Sequence, residues 1–411
     1  MANSWFSTII YRRVHKKNLS PMFSQSLLSS LQTSMGYSDT VTKSRKIRVF
    51  LRVEQRAIFR QWVGTARYVY NRTVEYLKQP DMTTNWYRVK KSILPDLPDW
   101  AKSVPYQIKS IAVRDACKAV KAAKLKCLKG DGFQKVSFRS RRQPIQSIYI
   151  PKSAINQKGV YHTKLGAIHY FESLPKAFGD SRLVRHNGRY YLTVSYKVQL
   201  HIGENQARVV ALDPGIRCFQ TFYSENSCGF LGKYDIGRIQ RLCQHLDDLI
   251  ARSAKVSAKQ RHRMQKACNR MRHKIRDLVD ELHHKVALFL VQNFDVILLP
   301  TFESSQMVKQ GRRKLRSKSV RQMLSWAHYR FKVFLKHKAF EYGKVVLDVC
   351  EAYTSKTVSW TGEVIDRLGG AKTIIGNDGK TMDRDINGAR GIFLRALADT
   401  PALQKACNVH C

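Results

Sequence analysis

The apolar positions of the chain change their spacing along its length, and each spacing predicts a different element. Ile47, Val49 and Leu51 alternate as in a strand, and residues 54–78 then follow with helical spacing. A second helical pattern covers residues 106–129. The first part of the chain is therefore predicted to hold one strand and then a helical region.

The next part of the chain has the pattern of β-structure. Residues 136–139 and 147–150 are predicted strands, and a hairpin follows with Asn187 and Gly188 at its turn. An Asn-Gly pair is suited to a type I′ turn, in which both central residues have positive φ. The predicted strands of this hairpin are residues 182–186 and 189–196.

The second half of the chain is organised around a short apolar run, Val209–Leu212, which ends at Asp213. A continuous apolar run of this length is typical of a strand covered on both faces. Pro214 and Gly215 then turn the chain, so that residues 218–223 can pair back. Because Asp-Pro-Gly is also an ordinary turn sequence, a functional interpretation of this acid depends on others downstream.

Two predicted helices follow, with apolar stripes over residues 236–250 and 264–282. Residues 255–276 contain nine Lys or Arg and no acid. At about 100° per residue, five of these cations share a face turned away from the apolar stripe, where phosphates can reach them. The five are Lys259, Arg263, Lys266, Arg270 and Lys274.

Further acids stand at the ends of later elements. Residues 296–299 are a predicted buried strand, residues 321–342 a helix, and residues 344–351 a strand that ends at Glu351. The last predicted helix carries Asp383 and Asp385 in or near its first turn. Glu351 and Asp385 are the downstream acids expected to join the acid at the first buried strand.

Asp213, Glu351 and Asp385 thus form the predicted site. Three carboxylates that converge in a core repel one another unless cations neutralise them. Oxygen ligands of this kind select Mg²⁺ or Mn²⁺. Two such ions about 4 Å apart can activate water and stabilise the leaving oxygen of a phosphodiester. The predicted chemistry is metal-dependent phosphodiester hydrolysis.

Composition supports a polyanionic partner. The chain has 411 residues and a formal net charge of +43, which is spread along its length. Such an excess opposes compaction by self-repulsion unless a polyanion such as nucleic acid neutralises it. Its nine cysteines include no Cys-x-x-Cys pair, which indicates reduced thiols in an intracellular protein. No apolar run approaches the ~20 residues of a membrane span, so no membrane partner is expected.

Several motifs together resemble Fanzor proteins, the eukaryotic and viral relatives of the transposon-encoded TnpB nucleases and of type V CRISPR effectors. The similarity runs in order from about Lys43 to Leu394, and no single motif would be specific on its own. The motifs that carry it are residues 43–49, 66–71, 212–217, 300–307, 351–356 and 383–390.

The resemblance implies a multidomain α/β fold and a domain organisation. After a flexible leader (residues 1–43), a β-barrel wedge domain (44–205) is interrupted by a helical recognition lobe (about 52–130). A RuvC nuclease domain of the RNase H-like class (206–395) and a tail (396–411) follow. The leader is basic and rich in Ser, so an organelle location is an alternative to the nuclear one that the resemblance implies.

The resemblance also implies a relocated catalytic acid. TnpB carries a Glu after the strand that matches residues 296–299, but Leu299 and Pro300 stand at that position here. Fanzors have the acid at the end of the next strand, which corresponds to Glu351. Glu303 is a rival for this role because it lies only three residues beyond the altered motif. Asp383 is a rival for Asp385, and its alternative role is capping of the helix.

One segment departs from the family. A zinc ribbon with two Cys-x-x-Cys pairs is expected at about residues 357–381, but the four ligand positions lack cysteine. They are Val358, Thr361, Ile375 and Asp378. Four thiolates cannot form there, so zinc is not expected, and the ribbon is degenerate or held by packing.

The resulting hypothesis is a Mg²⁺-dependent, RNA-guided DNA endonuclease that acts as a monomeric ribonucleoprotein with an omega-RNA-like guide RNA and double-stranded target DNA. Arg217 and Arg384 complete its predicted nucleic-acid-binding residues. One alternative is a protein of the same fold that binds RNA and DNA without cutting. The other is a basic RNA-binding protein without target choice.

Overall fold

The computed structural model describes residues 9–13, 40–79, 82–130, 132, 134–201, 208–302, 308, 317–366 and 369–399. Within these ranges, no helix has both the length and the apolar character needed to cross a membrane. Contacts divide the chain into two compact units. Residues 40–198 form one unit, and residues 199–411 with residues 1–39 form the other.

The described strands are β1 (Ile9–Arg13), β2 (Thr40–Phe50), β3 (Ile145–Ile150), β4 (Ile155–Asn156), β5 (Gly159–Val160), β6 (His169–Tyr170), β7 (Ser181–His186), β8 (Arg189–Gln199), β9 (Val209–Pro214), β10 (Gln220–Ser224), β11 (Ser227–Leu231), β12 (Val296–Pro300), β13 (Val345–Val349), β14 (Thr373–Ile375) and β15 (Thr381–Asp383).

The described α-helices are α1 (Val53–Tyr76), α2 (Trp86–Ile93), α3 (Asp99–Lys102), α4 (Tyr106–Leu128), α5 (His162–Leu165), α6 (Asp235–Ala254), α7 (Ala258–Asn293), α8 (Ser317–Trp326), α9 (His328–Glu341) and α10 (Arg384–Asp399). A short 3-10 helix covers Lys152–Ala154.

The unit of residues 40–198 combines a five-stranded sheet, in the order β3-β7-β8-β2-β6, with helices α1 to α4. Its core contains Ile47 and Val49 of β2 together with Phe59 and Trp62 of α1. The predicted hairpin is confirmed, since β7 pairs with β8 and the turn residues Asn187 and Gly188 have φ of 46° and 86°. A β-branched residue would be strained at either position.

Two features of this unit differ from the sequence pattern. Residues 136–139 are not a strand. They lack a strand partner, because the side chain of Asn71 instead accepts a hydrogen bond from the Arg139 amide (2.8 Å) and donates one to its carbonyl (3.0 Å). Helices α2 and α3 are too short for helical periodicity to reveal, and no prediction covers them.

The second unit is built on a six-stranded sheet in the order β1-β11-β10-β9-β12-β13. Strands β9, β10 and β11 form an antiparallel meander, while β12 runs parallel to both β9 and β13. Helices cover both faces, which explains why β9 and β12 are uninterrupted apolar runs. Helix α10 packs on one face, and helices α6, α7 and α9 pack on the other.

The helix predicted over residues 321–342 is two helices, α8 and α9. They are separated at Ala327, whose φ of 52° lies in the left-handed region and cannot continue an α-helix. The structure also differs from the predicted flexible leader at β1, which pairs with β11, and at Thr40, where β2 begins. The other residues before Thr40 lie outside the described ranges. Helix α10 continues to Asp399 and so includes the start of the predicted tail.

Candidate active site

Asp213 lies next to the end of β9, which is an inner strand of the sheet. Residues 209–212 of this strand are all buried. Asp213 itself is half-buried and stands opposite Thr221 of β10, and β9 is parallel to β12 on its other side. A carboxylate on an inner strand of a sheet has a backbone that cannot move independently of the core. The structure thus places the first predicted acid at a rigid position.

The pKa of Asp213 depends on burial and on the other two predicted acids. Burial, then the negative charges of Asp385 and Glu351, raise the pKa of Asp213 to about 8, while Arg384 opposes this shift. Neighbouring charges raise the pKa of an acid in this way only when the environment between them screens charge poorly. The coupling joins the three predicted acids electrostatically, and their catalytic role stays a prediction.

Glu351 occupies a loop position and not a strand end. Strand β13 ends at Val349, and it is the edge strand of the sheet and not a central one. The sequence pattern placed this acid at a strand end because apolar residues continue almost to it. Two hydrogen bonds hold the loop, since the amide and the hydroxyl of Thr354 donate to the Glu351 carbonyl at 3.3 and 2.8 Å. Desolvation raises the pKa of the Glu351 carboxyl.

Asp383 and Asp385 have different roles at the start of helix α10. The Asp383 carboxylate accepts hydrogen bonds from the amides of Asp385 (2.9 Å) and Ile386 (3.4 Å). This is the geometry of an N-cap, so the alternative role predicted for Asp383 is the observed one. Asp385, one residue into the helix, keeps its carboxylate exposed. Partial desolvation and the charge of Asp383 raise the pKa of Asp385, and Arg217, Arg384 and Lys233 lower it.

Gly388 makes the close approach of α10 to β9 possible. A Cβ built on Gly388 would lie 2.5 Å from Oδ2 of Asp213, which is closer than real Cβ contacts allow. Any side chain at this position would displace either the carboxylate or the helix. Sequence reasoning assigned no role to this glycine. The available signal was a glycine in a helix interior, where it costs about 1 kcal/mol relative to Ala.

The residues of this cluster fit a hard divalent cation by their chemistry. All three side chains offer only carboxylate oxygens, and their mutual repulsion would be relieved by added positive charge. In the part of the chain that the structure describes, however, no three His, Cys, Asp or Glu side chains already form a metal-holding group. Glu351 and Asp385 influence the pKa of Asp213, but as described the three acids do not form a ready-made metal site. Glu303 lies outside the described residues.

Two segments of the chain match family models, and most of its length is similar to viral proteins. Family models match at two places, a Cas12f1-like TNB domain at residues 328–392 and a helix-turn-helix domain at residues 35–79. "Putative transposase A625R" of Paramecium bursaria Chlorella virus 1 is 26% identical over 387 residues, covering 87% of this chain and 88% of the relative. TnpB-like protein L79 of Acanthamoeba polyphaga mimivirus is 22% identical over 442 residues, covering 95% and 82%.

The chain is a TnpB/Fanzor-type protein. Its mixed α/β multidomain fold is similar to that in the structure of the mini-RNA-guided endonuclease CRISPR-Cas_phi3. That structure aligns with a TM-score of 0.52 and 10% identity, and covers 93% of this chain and 97% of its own. In the described part of the helix-turn-helix match, this TnpB/Fanzor-type protein has strand β2 followed by the single helix α1.

The predicted basic face of this TnpB/Fanzor-type protein lies on helix α7. All five predicted cations of this face are exposed, and among the described residues none of them forms an ion pair. Arg217 is exposed and Arg384 is half-buried, and both affect the pKa of Asp385, so these two cations lie at the acid cluster. Lys233 also lowers the pKa of Asp385 and was missed, because the sequence does not show that it lies near the cluster.

A buried network supports the turn that follows Asp213. The indole N–H of Trp326, a wholly buried residue, donates to the Ile216 carbonyl at 3.0 Å. His283 Nε2 lies 2.8 Å from the Trp326 carbonyl, and the ring of Phe219 stacks on the rings of His283 and His328. Burial lowers the pKa of His283 to about 3 and that of His328 to about 4. Both histidines are therefore neutral supports of the turn near pH 7.

Proposed function

We propose that this TnpB/Fanzor-type protein is an RNA-guided DNA endonuclease in which Asp213, Glu351 and Asp385 hold divalent cations. The observation that carries the proposal is the cluster around Asp213, whose pKa is raised by burial and then by the charges of Asp385 and Glu351, and whose carboxylate lies against Gly388 of α10. Acids that are far apart in sequence come together here in an otherwise basic chain. Perturbed carboxyl groups of this kind cluster at functional sites.

The sheet supports assignment of the second unit to the RuvC class of RNase H-like domains. An antiparallel meander of three strands is followed by two parallel strands, with the first strand of the meander in the middle. Asp213 is on that middle strand. The sheet of residues 40–198 corresponds to the proposed wedge domain, and helices α1 to α4 to the proposed recognition lobe.

The proposed mechanism divides the work between acids and cations of the chain. Bound Mg²⁺ or Mn²⁺ would supply Lewis-acid chemistry to a phosphodiester. Asp213 would hold its ligand position through the sheet, and Asp385 through the N-terminal turn of α10, which Asp383 caps. Arg217 and Arg384 would bind the phosphates of the strand to be cut, since both stand beside the acids.

Guide RNA and target DNA are the proposed partners. The five exposed cations on α7 offer a face for phosphate backbones without reading bases. The net charge of +43 favours a nucleic acid as the stabilising partner. The aligned neighbour is named as an RNA-guided endonuclease, which supports the same activity for this chain.

A second candidate function is a protein that loads RNA and finds DNA but does not cut. The observation in its favour is that the described acids do not yet form a complete metal-holding group. The lack of cysteine at residues 358, 361, 375 and 378 is a further departure from the zinc ribbon that the family resemblance implies. Both candidates share the fold, and only a cleavage measurement separates them.

The deciding experiment is guided cleavage by the full chain, purified with its co-expressed RNA, after sequencing of that RNA. In Mg²⁺ we expect one enriched structured RNA, cleavage of a matching DNA, and losses of several orders of magnitude in Glu351→Ala and Asp385→Asn. Asp383→Asn is the matched control because Asn caps helices as well as Asp does, and it should cut nearly as the parent does.

Glu303→Ala is the second control, and it should also retain cleavage. If it abolishes cutting while Glu351→Ala still cuts, the relocated acid is Glu303. A loaded parent protein that binds its target and never cuts would establish the second candidate function. Recovery of random cellular RNA, with no enriched species, would contradict the proposal that the protein binds a guide RNA.

A further inference from the structure

The segment between β13 and α10 contains two turns, and its residues 357–366 and 369–383 are called the insert. In the first turn, the Val358 amide donates to the Glu363 carbonyl and the Gly362 amide donates to the Val358 carbonyl, both at 2.8 Å. The second turn joins β14 and β15, and the Gly376 amide donates to the Lys380 carbonyl at 3.0 Å. Each turn is thus closed by its own backbone.

The residues at the four expected ligand positions do not fit zinc. Structural zinc sites use four Cys or His ligands in a tetrahedron. The four positions offer two aliphatic side chains, one hydroxyl and one carboxylate. Val358 is completely buried in the protein, whereas the side chain of Ile375 is 58% exposed. Neither thiolate nor imidazole is available at any of them.

A direct hydrogen bond joins the two turns where a metal would be expected. The indole N–H of Trp360, in the first turn, donates to Oδ1 of Asp378, in the second, at 2.9 Å. The Lys380 amide donates to the same oxygen at 3.2 Å, which fixes the acceptor. Gly376 leaves room for the indole, because a Cβ there would lie 2.8 Å from Nε1 of Trp360.

A second link runs between the same turns. Oε1 of Glu363, from the first turn, accepts a hydrogen bond from the Asn377 amide of the second turn at 3.0 Å. The Asp378 carboxylate is also paired with the Lys380 ammonium at 3.0 Å. The side chains of Trp360 and Glu363 from the first turn and of Asp378 from the second therefore span the gap between the turns.

We propose that the insert folds without zinc, and that the Trp360–Asp378 and Glu363–Asn377 hydrogen bonds join its two turns in place of the metal. Asp378, at the fourth ligand position, has become the acceptor of the link. Trp360, which lies between the first two ligand positions, has become its donor. The ribbon is closed by side-chain chemistry and not by coordination.

The closed insert is attached to helix α10. Asn387 is completely buried. Its side-chain Nδ2 donates a hydrogen bond to the Thr357 carbonyl at 2.8 Å, and its Oδ1 accepts one from the Ser359 backbone amide at 2.9 Å. Arg390 Nη1 adds a hydrogen bond to the Ser359 hydroxyl at 3.0 Å. The first turn is thus held to the helix that begins with Arg384, and the Trp360–Asp378 link extends this order to the second turn.

The test is amide hydrogen exchange of the intact chain, followed by mass spectrometry of peptides from the insert. In the parent protein, exchange in both turns should be the same with a zinc chelator, with added Zn²⁺ and with neither. Trp360→Phe and Asp378→Ala should each accelerate exchange in the insert about tenfold. Asp378→Asn keeps an acceptor oxygen and should stay within about threefold of the parent.

The double variant of Trp360→Phe and Asp378→Ala should be little faster than either single one, because the two changes remove the same interaction. Peptides from β9 and β12 report whether the rest of the unit is intact. Faster exchange of the parent in chelator, or additive effects in the double variant, would overturn the proposal. The readout needs neither guide RNA nor cleavage, so it stands apart from the proposed endonuclease activity.

Discussion

Gly388 and Asp213 show how much a single position contributes to the site. Helix α10 packs on β9 and β10, and it meets the Asp213 carboxylate at a residue without a side chain. The carboxylate of Asp213 occupies the space that a Cβ would take. Since this acid is also half-buried and couples to Asp385 and Glu351, small displacements change its electrostatics and its reach together.

Gly388→Ala is therefore expected to destabilise the protein by about 1–3 kcal/mol and to abolish most cleavage, because the added Cβ displaces the Asp213 carboxylate or α10. Thermal unfolding and guided cleavage measure the two effects. Gly237→Ala in helix α6 is the matched control, since a Cβ there has nothing within 4 Å. That variant should be neutral or more stable by about 1 kcal/mol. Equal behaviour of the two variants would contradict the close packing at Gly388.

The titration of Asp213 gives a stability prediction for the metal-free protein. Burial and its acidic neighbours raise the pKa of Asp213 from 3.8 to about 8. Because the folded-state pKa is the higher one, the folded state favours the protonated acid. This contribution to stability is complete below pH 3.8 and is lost as the pH rises through about 8.

The Asp213→Asn variant has no ionisable group at this position. Its melting temperature in chelator, relative to that of the parent, should therefore rise as the pH is raised from about 5 to about 8. Differential scanning fluorimetry at a series of pH values measures the gap. A gap that does not change with pH would show that Asp213 has an ordinary pKa in the folded protein. Added Mg²⁺ should narrow the gap by stabilising the ionised acid of the parent alone.

At the scale of elements, helix α7 combines a packed part with an exposed basic part. Its later part is buried through Leu282, Val286 and Leu290 against the sheet, and its earlier part carries the exposed cations. The helix is 36 residues long, so the basic part extends beyond the packed part. The exposed cations can therefore be substituted without altering the buried core.

Replacement of the five cations of the α7 face by Gln should weaken RNA binding and reduce its dependence on salt. The slope of log K against log salt is negative, and each lost phosphate contact should make it less steep by about 0.7 for single-stranded RNA. Filter binding over a range of salt concentrations measures this slope. The matched control replaces five basic residues of the first unit, namely Lys118, Lys121, Lys124, Lys126 and Lys129. Equal losses from both sets would favour general RNA binding over a defined RNA site.

At the scale of the whole molecule, charge is the dominant property. A net charge of +43 on 411 residues means that the folded protein without RNA carries a large repulsive free energy. Among the described residues, at least thirteen acids form ion pairs with Lys or Arg, as in the buried pair of Asp295 with Lys344. A bound polyanion would compensate the rest of this charge.

The melting temperature of the RNA-free protein should therefore rise as salt is increased from about 0.05 to about 0.3 M, because screening reduces the repulsion. Its own RNA should raise the melting temperature at low salt, and this gain should shrink as salt is added. Heparin serves as a control polyanion without structure. A gain from heparin as large as that from the co-purified RNA would contradict recognition of one structured RNA.

Local patterns were sufficient for much of this protein. The Asn187-Gly188 hairpin, the two long helices of the first unit and the buried strands β9 and β12 follow from turn chemistry and periodicity alone. These features depend on neighbours in sequence, so the sequence contains their whole cause. The acids were also found there, because carboxylates near the ends of apolar runs are rare in a chain with so few acids.

Tertiary structure decided the rest, because the causes lie far apart along the chain. Asn71 withdraws the backbone at Arg139 from strand pairing, and Trp326 reaches across to hold the carbonyl of Ile216. The cap at Asp383, the loop position of Glu351 and the contact of Gly388 with Asp213 all depend on where α10 and β13 end and pack. The sequence by itself determined which residues could do chemistry, whereas packing between distant elements decided which of them meet.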